Sequence, residues 1–202
     1  MVFGHLFGAS REEMWRKLSA ELQGRYVQGS FWKGDRVEAA HGPWLVTLDQ
    51  HAVSTGDVVL VYTRLRAPFV NASGFRFRIY RKSVLSALGK ALGMQDIEIG
   101  DAAFDDAFVI QGNDDAKVRA LFSSPRIRSL LSAQKDVEFG IRDDEGFFGP
   151  KFPEGTDELR FLASGVVRDL EALRGLYELF AEVLDELCRM GVAYNVDPHV
   201  TL

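Results

Sequence analysis

The run GDVVLVYTRLRAPFVNASGFRFRIYRK, from Gly56 to Lys82, limits the folds open to this chain more than any other stretch. Side chains two apart on an extended strand share a face. Val59, Val61, Thr63 and Leu65 therefore fall on one side of a first strand, and Val58, Leu60, Tyr62, Arg64 and Arg66 on the other. In a second strand, Phe75, Phe77 and Ile79 lie opposite Arg76, Arg78 and Tyr80. That second pattern, apolar on one side and polar on the other, is how a sheet covered on one face reads. The start of the first strand is apolar on both sides, which predicts cover on both. Ala67-Pro68 through Ser73-Gly74 supplies turn residues, so the run reads as two strands joined by a long loop.

If these strands pair side by side, with Phe75, Phe77 and Ile79 against Val61, Thr63 and Leu65, one outer surface carries Tyr62, Arg64, Arg66, Arg76, Arg78 and Tyr80. Guanidinium forks beside tyrosine hydroxyls suit phosphate and other oxyanions. The competing reading is a charged face that is wet, or tied to acids elsewhere in the fold.

The flanking segments read as partners and covers. Short strands are predicted from Tyr26 to Phe31, from Arg36 to Ala40 and from Trp44 to about Asp49, so residues 26 to 81 form a five-strand antiparallel meander. Ser10 and Glu13 stand at capping-box spacing ahead of a helix that carries Met14, Trp15, Leu18 and Leu22 and stops near Gly24. Further helices are predicted over 83–92, after Asn113 or Asp114, and from Ser124-Pro125. Further strands are predicted over 96–99, at Phe108–Ile110, over 136–142 and over 158–166; in the last, Leu159, Phe161 and Ala163 alternate with Arg160, Leu162 and Ser164.

The last helix, about 168–190, repeats Leu170, Leu173, Tyr177, Phe180, Leu184 and Leu187 with three-four spacing, widened by Leu176 and Val183. Packing across the chain's own sheet suits so wide a stripe. A dimer zipper is the other reading, so a monomer is expected first and a homodimer through this helix second. The predicted class is α+β: a meandering antiparallel sheet covered by helices, with the long C-terminal helix packed on it. A length of 202 residues predicts a single domain, with a helical segment (1–25), the sheet with inserted helices (26–166), the C-terminal helix (167–191) and a tail (192–202).

Charge bears on partners. The net charge is −5, which disfavours nucleic acid. From Asp57 to Lys90 five Arg and two Lys face one Asp, a local +6, whereas Asp136 to Asp197 holds fifteen acids against six bases, a local −9. Either the two halves face each other or they present opposite potentials to partners. A single cysteine, Cys188, excludes an internal disulfide. The N-terminal MVFGHLFGASREEMW lacks a signal-peptide pattern, Val2 stands where myristoylation needs glycine, and no run nears the roughly eighteen apolar residues of a membrane span. Together these predict a soluble, cytoplasmic protein.

Catalytic signals are sparse. No two of His5, His41, His51 and His199 stand at a metal-ligand spacing, and no nucleophile elbow, phosphate loop or dinucleotide fingerprint occurs. Asp105-Asp106, Asp114-Asp115 and Asp143-Asp144-Glu145 read as helix caps and wet turns, not as acid–base pairs. No catalytic residue, metal or cofactor is expected. Phe147, Phe148 and Phe152, in the broken loop GFFGPKFPEG, read as a lid on the core or as an insertion into a partner or membrane interface.

The stretch FDDAFVIQGNDDAKVRALFSSPRIRSLL, Phe104 to Leu131, resembles bacterial proteins of the uncharacterised family called domain of unknown function 3137, over about residues 95–135. Members often carry membrane segments, which this chain lacks, and the resemblance implies no activity and no functional residues. The order of strands before a final helix is also similar to pleckstrin-homology-like domains, an architectural analogy only. Three functions are therefore expected in order: a non-enzymatic intracellular binding or regulatory module acting through protein contacts, a peripheral module taking an anionic lipid or phosphorylated ligand on the arginine face, and an enzyme whose site the sequence does not reveal.

Overall fold

The computed structural model describes residues 10–30, 34–84, 95–143, 152–200 and 202. Nine strands form one sheet: β1 (Arg25–Val27), β2 (Arg36–His41), β3 (Trp44–Thr55), β4 (Val58–Val70), β5 (Phe77–Arg81), β6 (Gln95–Asp96), β7 (Phe108–Gly112), β8 (Glu138–Arg142) and β9 (Thr156–Ser164). Their order across the sheet is β1-β2-β3-β4-β9-β8-β5-β7-β6, and every pairing is antiparallel. Among the described residues five α-helices accompany them: α1 (Arg11–Glu21), α2 (Ala102–Ala107), α3 (Asp115–Phe122), α4 (Pro125–Ser132) and α5 (Leu170–Arg189). The α+β class and the C-terminal helix packed on an antiparallel sheet follow the expectation.

One register row explains how the sheet buries its core. Val37, Leu48, Leu65, Phe161, Phe139, Ile79 and Ile110 stand directly opposite one another on seven successive strands. All seven are essentially inaccessible to water. Because the side-chain period of a strand is two, this row also fixes which residues face away. Met14, Trp15 and Leu18 of α1, with Leu173, Leu176, Phe180, Val183, Leu184 and Leu187 of α5, share the same buried cluster. The apolar stripe of α5 is thus covered within the chain, and the Tyr177 hydroxyl donates to the Val37 carbonyl at 3.1 Å.

The helix starts were written locally. Ser10 and Glu13 form the expected capping box, Asp114 caps α3, and Ser124 caps α4 ahead of Pro125. Asp169 caps α5. Helix α2 was not anticipated; Asp101 caps it by accepting from the Phe104 N–H.

The meander is shorter than predicted. It holds for β1 to β4, but β5 does not pair with β4, because β9 and β8 stand between them. The expected turn at Ala67-Pro68 is instead strand, since β4 continues to Val70. Proline is tolerated there because β3 has parted from β4: their last common pair is Thr47 with Arg66, and Pro68 pairs only with Glu158 of β9. The expected helix over 83–92 begins as a 3₁₀ turn, Lys82–Val84, and the rest of that span lies outside the described residues. The C-terminal tail is tied down in part: Tyr194 N–H donates to Val70, and Ala72 N–H donates to Val192.

Candidate functional site

The face of the sheet away from the core carries its own row. Arg25, Glu38, Thr47, Arg66, Arg160, Gly140, Arg78, Gln111 and Asp96 are opposite one another in turn across all nine strands. A second row holds Asp49, Arg64, Leu162, Glu138, Tyr80 and Val109. Tyr62, Arg64, Arg66, Arg78 and Tyr80 therefore do lie on one face, as expected, but across four strands and not on a hairpin. Arg76 departs from them. It precedes β5 and binds Asp143, just past the end of β8, at 2.7 Å and Asp157, the second residue of β9, at 3.2 Å.

These arginines are paired. Arg64 grips Asp49 with two hydrogen bonds of 2.8 Å, and Arg66 reaches the same carboxylate at 2.6 Å. Arg78 donates to Glu138 at 3.1 Å and stacks over the Tyr80 ring. Arg76 and Arg78 of the basic stretch thus meet acids of the 136–197 half, whereas Arg64 and Arg66 bind Asp49, which lies outside it. Both Arg64 and Arg66 are buried, as are Glu38 and Glu158. Arg25 and Arg36 close on Glu38 at 2.7 and 2.6 Å and hold its carboxyl below the usual range against the opposing effect of burial.

Three residues outside the expected set complete the cluster. Arg160 of β9 stands between Arg66 and Gly140; burial and the nearby Arg142 push its guanidinium down to about 10. Glu158 has no exposed surface, and burial pushes its carboxyl up to about 7 despite Arg66, Arg64 and Arg160. His51 lies opposite Tyr62 and is held below its usual value, first by burial and then by Arg64 and Arg160. The alternation of Arg160 against Leu159 and Phe161 was readable in the sequence. What stands beside it was not.

Phe152 is half-buried, and Phe147 and Phe148 lie outside the described residues. Among the described residues no group of His, Cys, Asp and Glu could hold a metal. His41 approaches Asp185 at 2.9 Å and stacks on Trp44, a contact that ties β2 to α5. Cys188 is partly buried, and burial raises its thiol. A cleft of about 280 Å³ beside α4, β9 and α5 is lined by Gln134, Asp136, Ser164, Arg168 and Asp169 among others. Asp169 is engaged as the cap of α5. No described helix is long and apolar enough to cross a membrane.

The other conspicuous feature is a ribbon. β9 accompanies β4 only as far as Tyr62, and β2 accompanies β3 only as far as Leu48. Past these points the Gly165 N–H still donates to the Val61 carbonyl at 2.8 Å, and β3 and β4 are each other's only strand partners among the described residues, up to Thr55 and Val58. Gly56, at φ +73°, takes the first position of the two-residue turn, where a side chain would be strained. Val53, Val58, Val59, Leu60 and Val61 are exposed on this ribbon, Val59 to 63%.

No protein-family model matches the chain, and no curated protein does. Among solved structures, the crystal structure of the mycobacterial trehalose monomycolate transport factor A, TtfA, is similar at 10% identity, over 88% of this chain and 96% of that one, with a TM-score of 0.44. A likeness of that size carries no argument about this chain.

Proposed function

We propose that this chain is a non-enzymatic binding or regulatory module, working in the cytoplasm, that acts through contact with another protein. The observation that carries this reading is the projecting β3–β4 ribbon with five exposed aliphatic side chains. A two-stranded ribbon is marginal in water by itself, and clustered exposed aliphatics mark surfaces that a partner covers. The Gln50–Val53 stretch of β3 pairs only with β4 among the described residues, so an extended polypeptide can add beside it by main-chain hydrogen bonds. The occupant that fits is a strand with alternating apolar residues. A bilayer fits less well, because Asp57 at the tip would have to enter hydrocarbon. The arginine pairs on the sheet support the same order of readings, since most of the guanidinium groups expected to take a ligand are engaged with Asp49, Glu138, Asp143 or Asp157.

The test places a photo-crosslinking residue at Val59 in the intact chain inside its own cell. A discrete adduct with one other polypeptide is expected, lost in the Leu60→Asp background and absent when the probe stands at Glu182. No adduct, or the same adducts from both positions, overturns the reading.

A further inference from the structure

The cleft of about 280 Å³ is walled by two segments distant in the chain. One wall is the stretch 133–136, which leaves α4 and leads toward β8; the other runs from Ala163 near the end of β9 to Ala172 in the first turn of α5. Ala163, Val167 and Ala172 are short aliphatic side chains, and between them they leave room for an apolar body.

Gln134 is the most buried polar residue of the lining, at 5% exposed. Its position is built from three sides. Arg81 Nε and Nη2 donate to the Gln134 carbonyl at 2.9 and 2.7 Å. The Gln134 amide nitrogen donates to the Ala172 carbonyl at 3.4 Å. Gly175 makes way for that amide, since a Cβ there would lie 3.4 Å from Gln134 Nε2. A glycine inside a helix weakens it, so one kept there has a packing reason. The Gln134 amide oxygen accepts no hydrogen bond among the described residues, and it is not sealed away, so a ligand in the cleft can reach it.

Charged side chains of both signs line the same cleft without closing on one another. Asp136 is half-buried, Lys135 and Arg168 are exposed, and among the described residues none of the three forms a salt bridge. On the far side of the same helix the chain does close such a pair, Arg174 with Glu21 at 2.6 Å. Asp169 is committed to α5, its Oδ1 accepting from the Glu171 and Ala172 N–H groups at 2.9 and 3.2 Å. The cleft therefore offers acceptors at its more buried positions, Gln134 and Asp136, cations at its exposed ones, and an aliphatic wall beside them.

We propose that this cleft binds a free aliphatic α-amino acid, with the ammonium group on Gln134 Oε1 and Asp136, the carboxylate toward Arg168 and Lys135, and the side chain against Ala163, Val167 and Ala172. A zwitterion supplies both signs at once, so it satisfies groups that the fold leaves apart, and charge-assisted hydrogen bonds fix its orientation. None of these residues belongs to the β3–β4 ribbon, so either proposal can fail alone.

The test titrates L-valine, L-leucine and L-isoleucine into the full chain by calorimetry, with the Ala163 and Val167 methyl signals followed by NMR. At least one of the three is expected to bind saturably and to shift both signals. The amide of the tightest binder lacks the carboxylate, and its N-acetyl derivative lacks the ammonium; each should bind about tenfold or more weakly, the loss of a charged hydrogen-bonded contact. Gln134→Leu keeps the size of the side chain, removes the amide oxygen and should weaken binding by a similar factor, whereas Arg16→Gln on α1 should leave it unchanged. If Gln134→Leu does not melt cooperatively, Asp136→Asn replaces it: weakened binding supports the site, and wild-type binding overturns it. No saturable binding of any of the three, equal affinity for the amide or the N-acetyl derivative, or wild-type affinity in a folded Gln134→Leu overturns the proposal.

Discussion

Arg66 on β4 and Arg160 on β9 stand directly opposite each other, two guanidinium groups in register on one face of the sheet. Like charges placed this way repel, so the pairing persists only because neighbouring acids hold one of the two. Asp49 is that acid for Arg66, and it binds Arg64 as well. Removing one partner of a buried ion pair leaves an uncompensated charge behind, so Asp49→Ala should destabilise the fold by about 3–5 kcal/mol. Urea denaturation measures this, and a loss no greater than that of an exposed substitution such as Asp106→Ala would show that the network does not hold the sheet.

Glu158 gives a pH signature of known sign. Its folded carboxyl titrates near 7, above its ordinary 4.5. Between those values the folded state holds a proton that the unfolded state has released, so this group's contribution to stability falls as pH rises from about 4.5 to 7 and stays low above that. Glu158→Gln removes the effect. The stability difference, mutant minus wild type, should therefore grow by about 1–3 kcal/mol from pH 5 to pH 8. Denaturation of both proteins across that range would refute this if the difference stayed flat.

Gly140 is a place where only glycine fits. A Cβ built there would lie 2.3 Å from the Phe77 carbonyl oxygen and 3.0 Å from the Arg78 Cα, both backbone atoms of the neighbouring strand. Gly140→Ala must therefore push β8 and β5 apart and should cost about 1–3 kcal/mol, the range for overpacking. Gly34→Ala, where a Cβ meets nothing, is the matched control.

Phe77 is 1% exposed and meets Phe122 and Phe139 edge-on, with ring centroids 5.5 and 5.6 Å away. Phe77→Ala should cost about 3–5 kcal/mol by the large-to-small rule. A loss under about 1 kcal/mol in chemical denaturation would contradict the burial that the register assigns to it.

Helix α5 supplies much of the lid over the sheet, with Leu173, Phe180, Leu184 and Leu187 all fully buried. Deleting residues 170–202 should abolish cooperative melting, because the apolar row from Leu48 to Ile79 would then face water. A truncated chain that still melted cooperatively would mean that α5 is an accessory and not part of the core.

The period of the side chains was legible without a structure, and with it each strand's faces: Phe77 and Ile79 inward, Arg78 and Tyr80 outward, Arg160 against Phe161. So were the helix starts, because Ser10 with Glu13, Asp114, and Ser124 with Pro125 act on backbone groups within one turn. These are local effects, set by residues a few positions apart. Strand neighbours are not local. Nothing near Val70 or Phe77 in the chain says that β8 and β9 will enter between β4 and β5, and the turn chemistry of Ala67-Pro68 points the other way until β3 is known to end beside it. The candidate site inherits that split. That Arg64, Arg66, Arg78 and Tyr80 share a face follows from alternation along the chain. That Arg160 stands beside Arg66, that Asp49 and Glu138 hold their neighbours, and that Glu158 is sealed from water were decided by pairings between strands up to a hundred residues apart, because a long-range contact is chosen by the total apolar surface the whole sheet can bury and not by the residues on either side of it.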